Sequence, residues 1–446
     1  MEPPYTQRSG VPLQTRPVLS PFNPSALQSL NSILPPKKNG ISIELHDHFA
    51  SKRYRPGSIV QGTVNIKPKK PVHFTTISIR FVCDSSVERP NGNLSFETWH
   101  RLLDLEMPIP QDALPESKVL QPNETYTIPF YFVLPDHLGT EACTHNVIWG
   151  ETRQLHLQLP PSITGWERDA MIPRGARIEY GVIAQVLDSN NPDYAKFESK
   201  ETIQFLPGFV EHPLSKIPDT NRTYKLKATK QLKTNVFSRS TGQIILSADQ
   251  PKALVLDTSG KGFHSTAVLS SLYLEPFDGK ALPSKCSVSA KIESETWSQD
   301  VPMQHYPHML DTRDAYTSSE TFLKKTEIDL TWERNASKQT STSPQSAETF
   351  MSQFEIPLQS FASDKKMFLP TFYSCLVART YQLHLTINVA SVVLKLVLPI
   401  QLTMEDQMAA TQPDDMDTIF SDQNSSRVSD SLPSYLESER RDSRTS

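Results

Sequence analysis

The chain predicts an all-β protein, with two antiparallel β-sandwich domains in tandem and unstructured ends. Three observations predict it. Apolar residues recur at every second position in run after run between residues 41 and 400, which is the period of a strand with one buried face. Prolines number 36 against only 15 glycines in 446 residues. A proline share of about 8%, against a usual share near 5%, disfavours helices and suits edge strands and long connections. No helical pattern extends beyond about three turns. At roughly 150 residues per domain the length allows two or three domains.

Residues 1–39 are rich in Pro, Ser and Gln and are expected to be disordered, apart from a short apolar patch at 27–34. A first sandwich is expected over residues 40–210. Ile41, Ile43 and Leu45 open its alternation, followed by Val60, Gly62, Val64 and Ile66, then by Ile77, Ile79, Phe81 and Cys83. Ile128, Phe130, Phe132 and Leu134 continue the pattern. Leu155, Leu157 and Leu159 alternate with Gln154, His156 and Gln158, so a strand is expected there too. Ile178, Tyr180, Val182, Ala184 and Val186 form the late strand. Residues 97–105 fit a helix face through Trp99 and Leu103, but their context favours a strand. Turn residues divide the runs, as in Tyr54-Arg55-Pro56-Gly57 and Lys67-Pro68-Lys69-Lys70-Pro71.

Residues 211–221 read as a linker. A second sandwich is expected over 222–403, interrupted by a Ser/Thr/Gln-rich loop at 335–346. Its strongest strands come last: Tyr381, Leu383, Leu385, Ile387 and Val389, then Val392, Leu394, Leu396, Leu398 and Ile400. The acidic tail, 404–446, holds ten acids and four bases within a chain of net charge −4. It is too polar to pack.

Charge and cysteine usage exclude several function classes. No strongly basic stripe points to nucleic acid as a partner. Cys83, Cys143, Cys286 and Cys375 form no CxxC pair, so spacing signals neither a zinc site nor a disulfide framework. The first twenty residues lack the apolar core of a signal peptide, and Lys395 and Pro399 break the most apolar run well short of the eighteen or so residues that a membrane span needs. A cytoplasmic protein is expected, which makes sequons such as Asn123-Glu124-Thr125 chance matches.

The motifs carry a resemblance. Tyr54-Arg55-Pro56-Gly57-Ser58-Ile59-Val60-Gln61-Gly62-Thr63-Val64 looks like the early strand of arrestin N-domains. Ile128-Pro129-Phe130-Tyr131-Phe132-Val133-Leu134-Pro135 is similar to the family's Pro-Phe-x-Phe-x-Leu-Pro pattern, and Ile178-Glu179-Tyr180-Gly181-Val182 to its late strand. The stretch from Leu369-Pro370-Thr371-Phe372-Tyr373-Ser374-Cys375 through Arg379-Thr380-Tyr381 resembles the penultimate part of arrestin C-domains. Within the tail, Leu432-Pro433-Ser434-Tyr435 corresponds to the PY-type motif of α-arrestins, the trafficking adaptors of fungi and animals. The more usual Pro-Pro-x-Tyr form is absent, and there is a single site.

The resemblance implies an arrestin fold of two immunoglobulin-like sandwiches and an adaptor function. Leu432, Pro433 and Tyr435 would dock to WW domains of a HECT-type ubiquitin ligase, since a proline-x-tyrosine segment is pre-disposed to polyproline II. The sandwiches would bind cytosolic tails of membrane transporters or receptors at the plasma membrane and endosomes, promoting their ubiquitylation and endocytosis. A ligase-independent scaffold in endosomal sorting is the alternative. Ser429, Ser431, Ser434 and Ser438 stand beside the motif among acids, where phosphorylation would tune docking.

Catalytic chemistry finds little footing. GxSxG, GxxxxGK[ST] and HExxH are all missing, and no enzyme activity or cofactor is expected. Gly260-Lys261-Gly262 reads as a hairpin turn, and His46 with His48 as a surface pair lacking a third ligand. Cys143 and His145 suggest a thiolate–imidazole couple, but with no orienting partner in the sequence they read as packing. Two basic clusters remain. Lys67, Lys69 and Lys70 suit a solvated turn. Lys225, Lys227, Lys230 and Lys233 suit either a solvated strand edge or contact with an acidic cargo tail or anionic membrane surface. They are also candidate ubiquitylation sites for a docked ligase.

Overall fold

Alternation of apolar and polar residues dictates strands, and strands are what most of the described residues form. The computed structural model describes residues 5–8, 13–18, 40–91, 94–110, 113–189, 191, 195–208, 211–212, 217, 221, 223–233, 240–264, 266–276, 282–310, 315–334, 349–358, 361–363, 365–389 and 392–404. All of them belong to one compact unit, Met1–Asp406. The tail motif and the patch at 27–34 lie outside the described residues.

In the first half the strands are β1 (Thr6–Gln7), β2 (Gln14–Val18), β3 (Ile41–Leu45), β4 (Arg53–Tyr54), β5 (Ile59–Ile66) and β6 (Val72–Asn91). They continue with β7 (Leu94–Met107), β8 (Val119–Leu120), β9 (Tyr126–Val133), β10 (Ala176–Asp188) and β11 (Ala195–Phe205). One sheet runs β1-β7-β6-β10-β11-β4, with β2 also on β7 and β8 also on β6; the other is β3-β5-β9. Val60, Val64 and Ile66 of β5 are buried while Ile59 and Gln61 face out, as the period-two pattern requires. The two sheets meet through aromatic rings, Phe81 of β6 lying 5.9 Å from Phe132 of β9. Tyr180 of β10 packs 4.5 Å from Phe205, and its hydroxyl donates to the Pro160 carbonyl at 2.7 Å. Each large apolar side chain so buried is worth about 1.5–3 kcal/mol.

Two differences from the sequence reading stand out here. Within the N-terminal segment expected to be disordered, β1 and β2 pair with β7, and Tyr5 donates its hydroxyl to the Val133 carbonyl at 2.6 Å. Residues 97–105 do lie in a strand, β7, whereas the expected strand around Leu155 is a helix, α1 (Gly150–His156). Its buried residues are Thr152 and His156, four apart on one helix face; Leu155 and Leu157 are only half-buried. The leucine alternation that suggested a strand is an accident of composition over so short a span.

The second half contains β12 (Lys227–Lys233), β13 (Ser240–Ala248), β14 (Leu254–Leu256), β15 (Gly262–Phe263), β16 (Thr266–Pro276), β17 (Lys285–Ser298) and β18 (Tyr316–Asp329). After these come β19 (Glu333–Arg334), β20 (Phe350–Leu358), β21 (Phe361–Ala362), β22 (Phe372–Tyr373), β23 (Val377–Val389), β24 (Val392–Ile400) and β25 (Leu402–Met404). One sheet has the order β12-β13-β16-β20-β19, and another β18-β17-β23-β22 with β24 on β23; a small sheet joins β21-β15-β14-β25. Gly260 turns the β14–β15 hairpin at φ 65, a left-handed conformation that favours glycine. Among the described residues no sheet mixes strands from the two halves; an isolated bridge, Asp169 to Lys366, crosses between them. Their apolar cores nonetheless form one continuous cluster. Among the described residues no helix is long and apolar enough to cross a membrane.

Candidate functional site

The tail residues Leu432, Pro433 and Tyr435 lie outside the described residues. Lys225, Lys227 and Lys230 are exposed. The last two sit on β12, the outermost strand of its sheet, where lysines hinder edge-to-edge pairing. Lys225 precedes it and pairs its backbone with Val397 of β24 in both directions, at 2.8 and 3.0 Å. Lys233 ends β12, and its side chain is outside the description. Four lysines on and before one strand follow from chain order alone; nothing converges on them to make a pocket.

Convergence occurs instead where the two halves meet. The segment before β10 presents its backbone to β17 and β23. Arg379 of β23, fully buried at 0% exposure, donates from Nη2 to the carbonyls of Ala170 and Met171, at 2.9 Å each. Thr296 Oγ1 donates to the same Met171 carbonyl at 3.1 Å, and Ser294 Oγ approaches its sulfur at 3.5 Å. Met171 has φ 57, a strained backbone for a residue with a Cβ that persists only where its surroundings fix it. Nearby, Arg168 donates to the Ser363 carbonyl at 2.6 Å and Arg53 to that of Thr258 at 2.6 Å, while Arg89 reaches the Ser298 carbonyl.

At another part of this junction four metal-ligating side chains come together: Cys143, His145, His156 and Cys375, with one donor atom of each within 4.8 Å of all the others. Three come from the first half. Cys143 follows a 3-10 turn, Thr140–Ala142; His145 stands two residues on; His156 ends α1. Cys375 comes from the β22–β23 turn, which Ser374 braces by donating to the Val377 carbonyl at 2.7 Å. Arg153 of α1 donates to the Cys143 carbonyl at 2.6 Å and the His145 carbonyl at 3.0 Å, holding the loop in shape. From the second half, Met303 completes the frame: its N–H donates to the Cys375 carbonyl at 2.8 Å, and its own carbonyl lies 3.0 Å from His145 Nε2.

Cys143 Sγ lies 3.6 Å from His156 Nδ1 and 3.7 Å from His145 Nδ1. Electrostatics splits the two thiols. A hydrogen bond from Cys375 holds Cys143 far below the usual thiol value against the opposing effect of burial, and the two imidazoles lower it further. The same bond, with burial and the charge on Cys143, drives Cys375 well above its usual value. Burial would lower His145, but its hydrogen bond and charge interaction with Cys143 outweigh that and raise it. The cluster thus favours the deprotonated form at Cys143 and the protonated form at Cys375. Cys143 and Cys375 have 0% exposure and His156 1%, an arrangement of buried sulfur and imidazole donors that suits ligation.

The sequence marks Cys143 and His145 but offers them no orienting partner; the fold supplies His156, Cys375 and the Met303 carbonyl. His156 was hidden by its assignment to a strand, and Cys375 by its place 232 positions after Cys143. The Cys-x-His spacing with a histidine shortly after was the available signal. His46 and His48 lie beyond the end of β3, and His48 stacks on Tyr54. The Gly260 segment is the hairpin turn that its sequence suggested.

No family model and no curated protein matches the chain.

Proposed function

We propose that the chain is an α-arrestin-like adaptor. In this reading two immunoglobulin-like sandwiches, residues 40–210 and 222–403, bind cytosolic tails of plasma-membrane transporters or receptors. Leu432, Pro433 and Tyr435 dock to WW domains of a HECT-type ubiquitin ligase, which ubiquitylates the cargo and drives its endocytosis and sorting. The protein then works in the cytoplasm and is recruited to plasma membrane and endosomes.

The observation that carries the reading is the match between motif order and strand order. The Pro-Phe-x-Phe-x-Leu-Pro motif falls on β9 and just after it, with Phe130, Phe132 and Leu134 buried. Ile178, Tyr180 and Val182 line the inner face of β10, and the Phe372–Tyr381 motif spans β22 and β23 with both of those rings buried. Exposed Lys225, Lys227 and Lys230 suit either an anionic membrane surface, at about 1 kcal/mol per base near such a lipid, or modification by the docked ligase.

The test measures binding of purified full-length protein and its Tyr435→Ala variant to isolated WW domains of a HECT-type ligase. Wild type should bind in the tens of micromolar, about −6 kcal/mol, leaving productive recruitment to avidity with cargo and membrane. The variant should bind at least about tenfold more weakly. Equal binding by both would remove Leu432–Tyr435 as the dock, and absence of binding by both would replace the ligase adaptor with the ligase-independent scaffold.

A further inference from the structure

We propose that Cys143, His145, His156 and Cys375 bind one zinc ion in a closed tetrahedral site that joins the two halves of the fold. The inference stands independently of the adaptor reading. Two thiolates and two imidazoles are a recurrent set for structural zinc, with Zn–S near 2.3 Å and Zn–N near 2.0–2.1 Å. A regular tetrahedron with those bond lengths places sulfur and nitrogen about 3.6 Å apart, and two sulfurs about 3.8 Å apart. Cys143 Sγ meets its two histidines at 3.6 and 3.7 Å, and all four donors fall within 4.8 Å of one another. Contraction of the wider pairs on binding, by about 1–1.5 Å at most, completes the polyhedron.

Three further features point to metal rather than to packing alone. His145 Nδ1 and Nε2 lie 3.7 and 3.9 Å from Cys143 Sγ, and donation of the Nε2 proton to the Met303 carbonyl at 3.0 Å would leave Nδ1 as the ligating atom. A zinc-bound histidine is typically fixed in this way, by donating its other N–H to a carbonyl. The Cys143 loop is held from behind by the two Arg153 hydrogen bonds, which present Cys143 and His145 to the cluster on an ordered backbone. Burial of Cys143, Cys375 and His156 matches a structural site with no open coordination position. Soft sulfur and imidazole donors select zinc over magnesium or calcium, and two thiolates neutralise the dication.

The ligand count is asymmetric, three from the first half and one from the second. A metal held there cross-links Cys375 to residues 143–156, so binding favours the closed junction and stabilises it by mass action.

The experiment measures metal content of the purified full-length protein by elemental analysis, followed by replacement of the metal with cobalt(II). One zinc per chain is expected, and the cobalt form should show the strong visible absorption of a tetrahedral site with a sulfur-to-cobalt band in the near ultraviolet. Cys375→Ser should weaken that band and lower metal affinity, and chelation of the wild type should lower its melting temperature. The wild-type readings decide the matter even if the variant fails to fold. Substoichiometric zinc after zinc addition and desalting would overturn the proposal, as would the pale spectrum of octahedral cobalt. So would recovery of only two of the four free thiols in unreduced, denatured protein, since that would make Cys143 and Cys375 a disulfide.

Discussion

Replacing Arg379 with methionine should weaken the junction between the two halves without disturbing either core. Methionine keeps the unbranched stem and removes the donors. In the wild type Nη2 serves the Ala170 and Met171 carbonyls at 2.9 Å each, and bonds from a charged donor are worth about 1.5–3 kcal/mol apiece. The gross loss is therefore about 3–6 kcal/mol. Two effects reduce it. Met171 keeps the Thr296 hydroxyl, and the variant no longer buries a cation whose Nε has no partner among the described residues. A net loss of about 2 kcal/mol remains, mostly the stranded Ala170 carbonyl. In scanning calorimetry Arg379→Met should melt a few degrees below wild type, with the transition broadened or split as the halves uncouple. A variant that melts with the wild type in a single sharp transition would show that those two hydrogen bonds do not hold the junction.

Tyr180→Phe should cost about 1 kcal/mol, because it strips the Pro160 carbonyl of its 2.7 Å partner while leaving the ring against Phe205; a urea titration checks it, and no change in midpoint would refute it. Glu295, buried on β17, is raised above its ordinary 4.5 by burial, with the Thr380 and Gln382 hydrogen bonds opposing. Its protonated form is thus favoured by folding, so its contribution is complete below pH 4.5 and disappears as pH rises through the folded value. Glu295→Gln should flatten that part of the stability–pH curve and gain relative to wild type toward neutral pH. Parallel curves would refute the assignment.

The strands were legible because their physics is local. Alternation at Val60–Ile66 or Tyr381–Val389 needs only the neighbouring residues to declare a buried face, and burial follows it except at Gln382, which is buried against Glu295. The same rule failed at Leu155, where seven residues of helix turn on His156 and Thr152 and three leucines happened to alternate. It failed at β2 for a different reason. Gln14-Thr15-Arg16-Pro17 has no apolar face of its own; it is a strand because β7 offers an open edge and Glu97 binds Arg16 at 2.7 Å. The metal-ligand cluster is least legible of all. Half of it, Cys143 and His145, was visible as a pair, but Cys375 becomes its neighbour only after both halves have folded and met. Arg379 was likewise one base among many until the Ala170 and Met171 carbonyls were placed against it.

That dependence on late partners has a consequence for how the protein is made. On the ribosome, β2 emerges long before its partner β7, some 80 residues later in the chain, and waits unpaired. The Met171 bend waits longer still, since Arg379 lies 208 residues downstream. Cys143 and His145 likewise stand without Cys375 beside them until it leaves the exit tunnel. The first half can condense while synthesis continues, yet its joint with the second cannot close until nearly all of the folded part has been translated. Contacts of such long range fold slowly, and during the interval the residues of the nascent junction stay exposed.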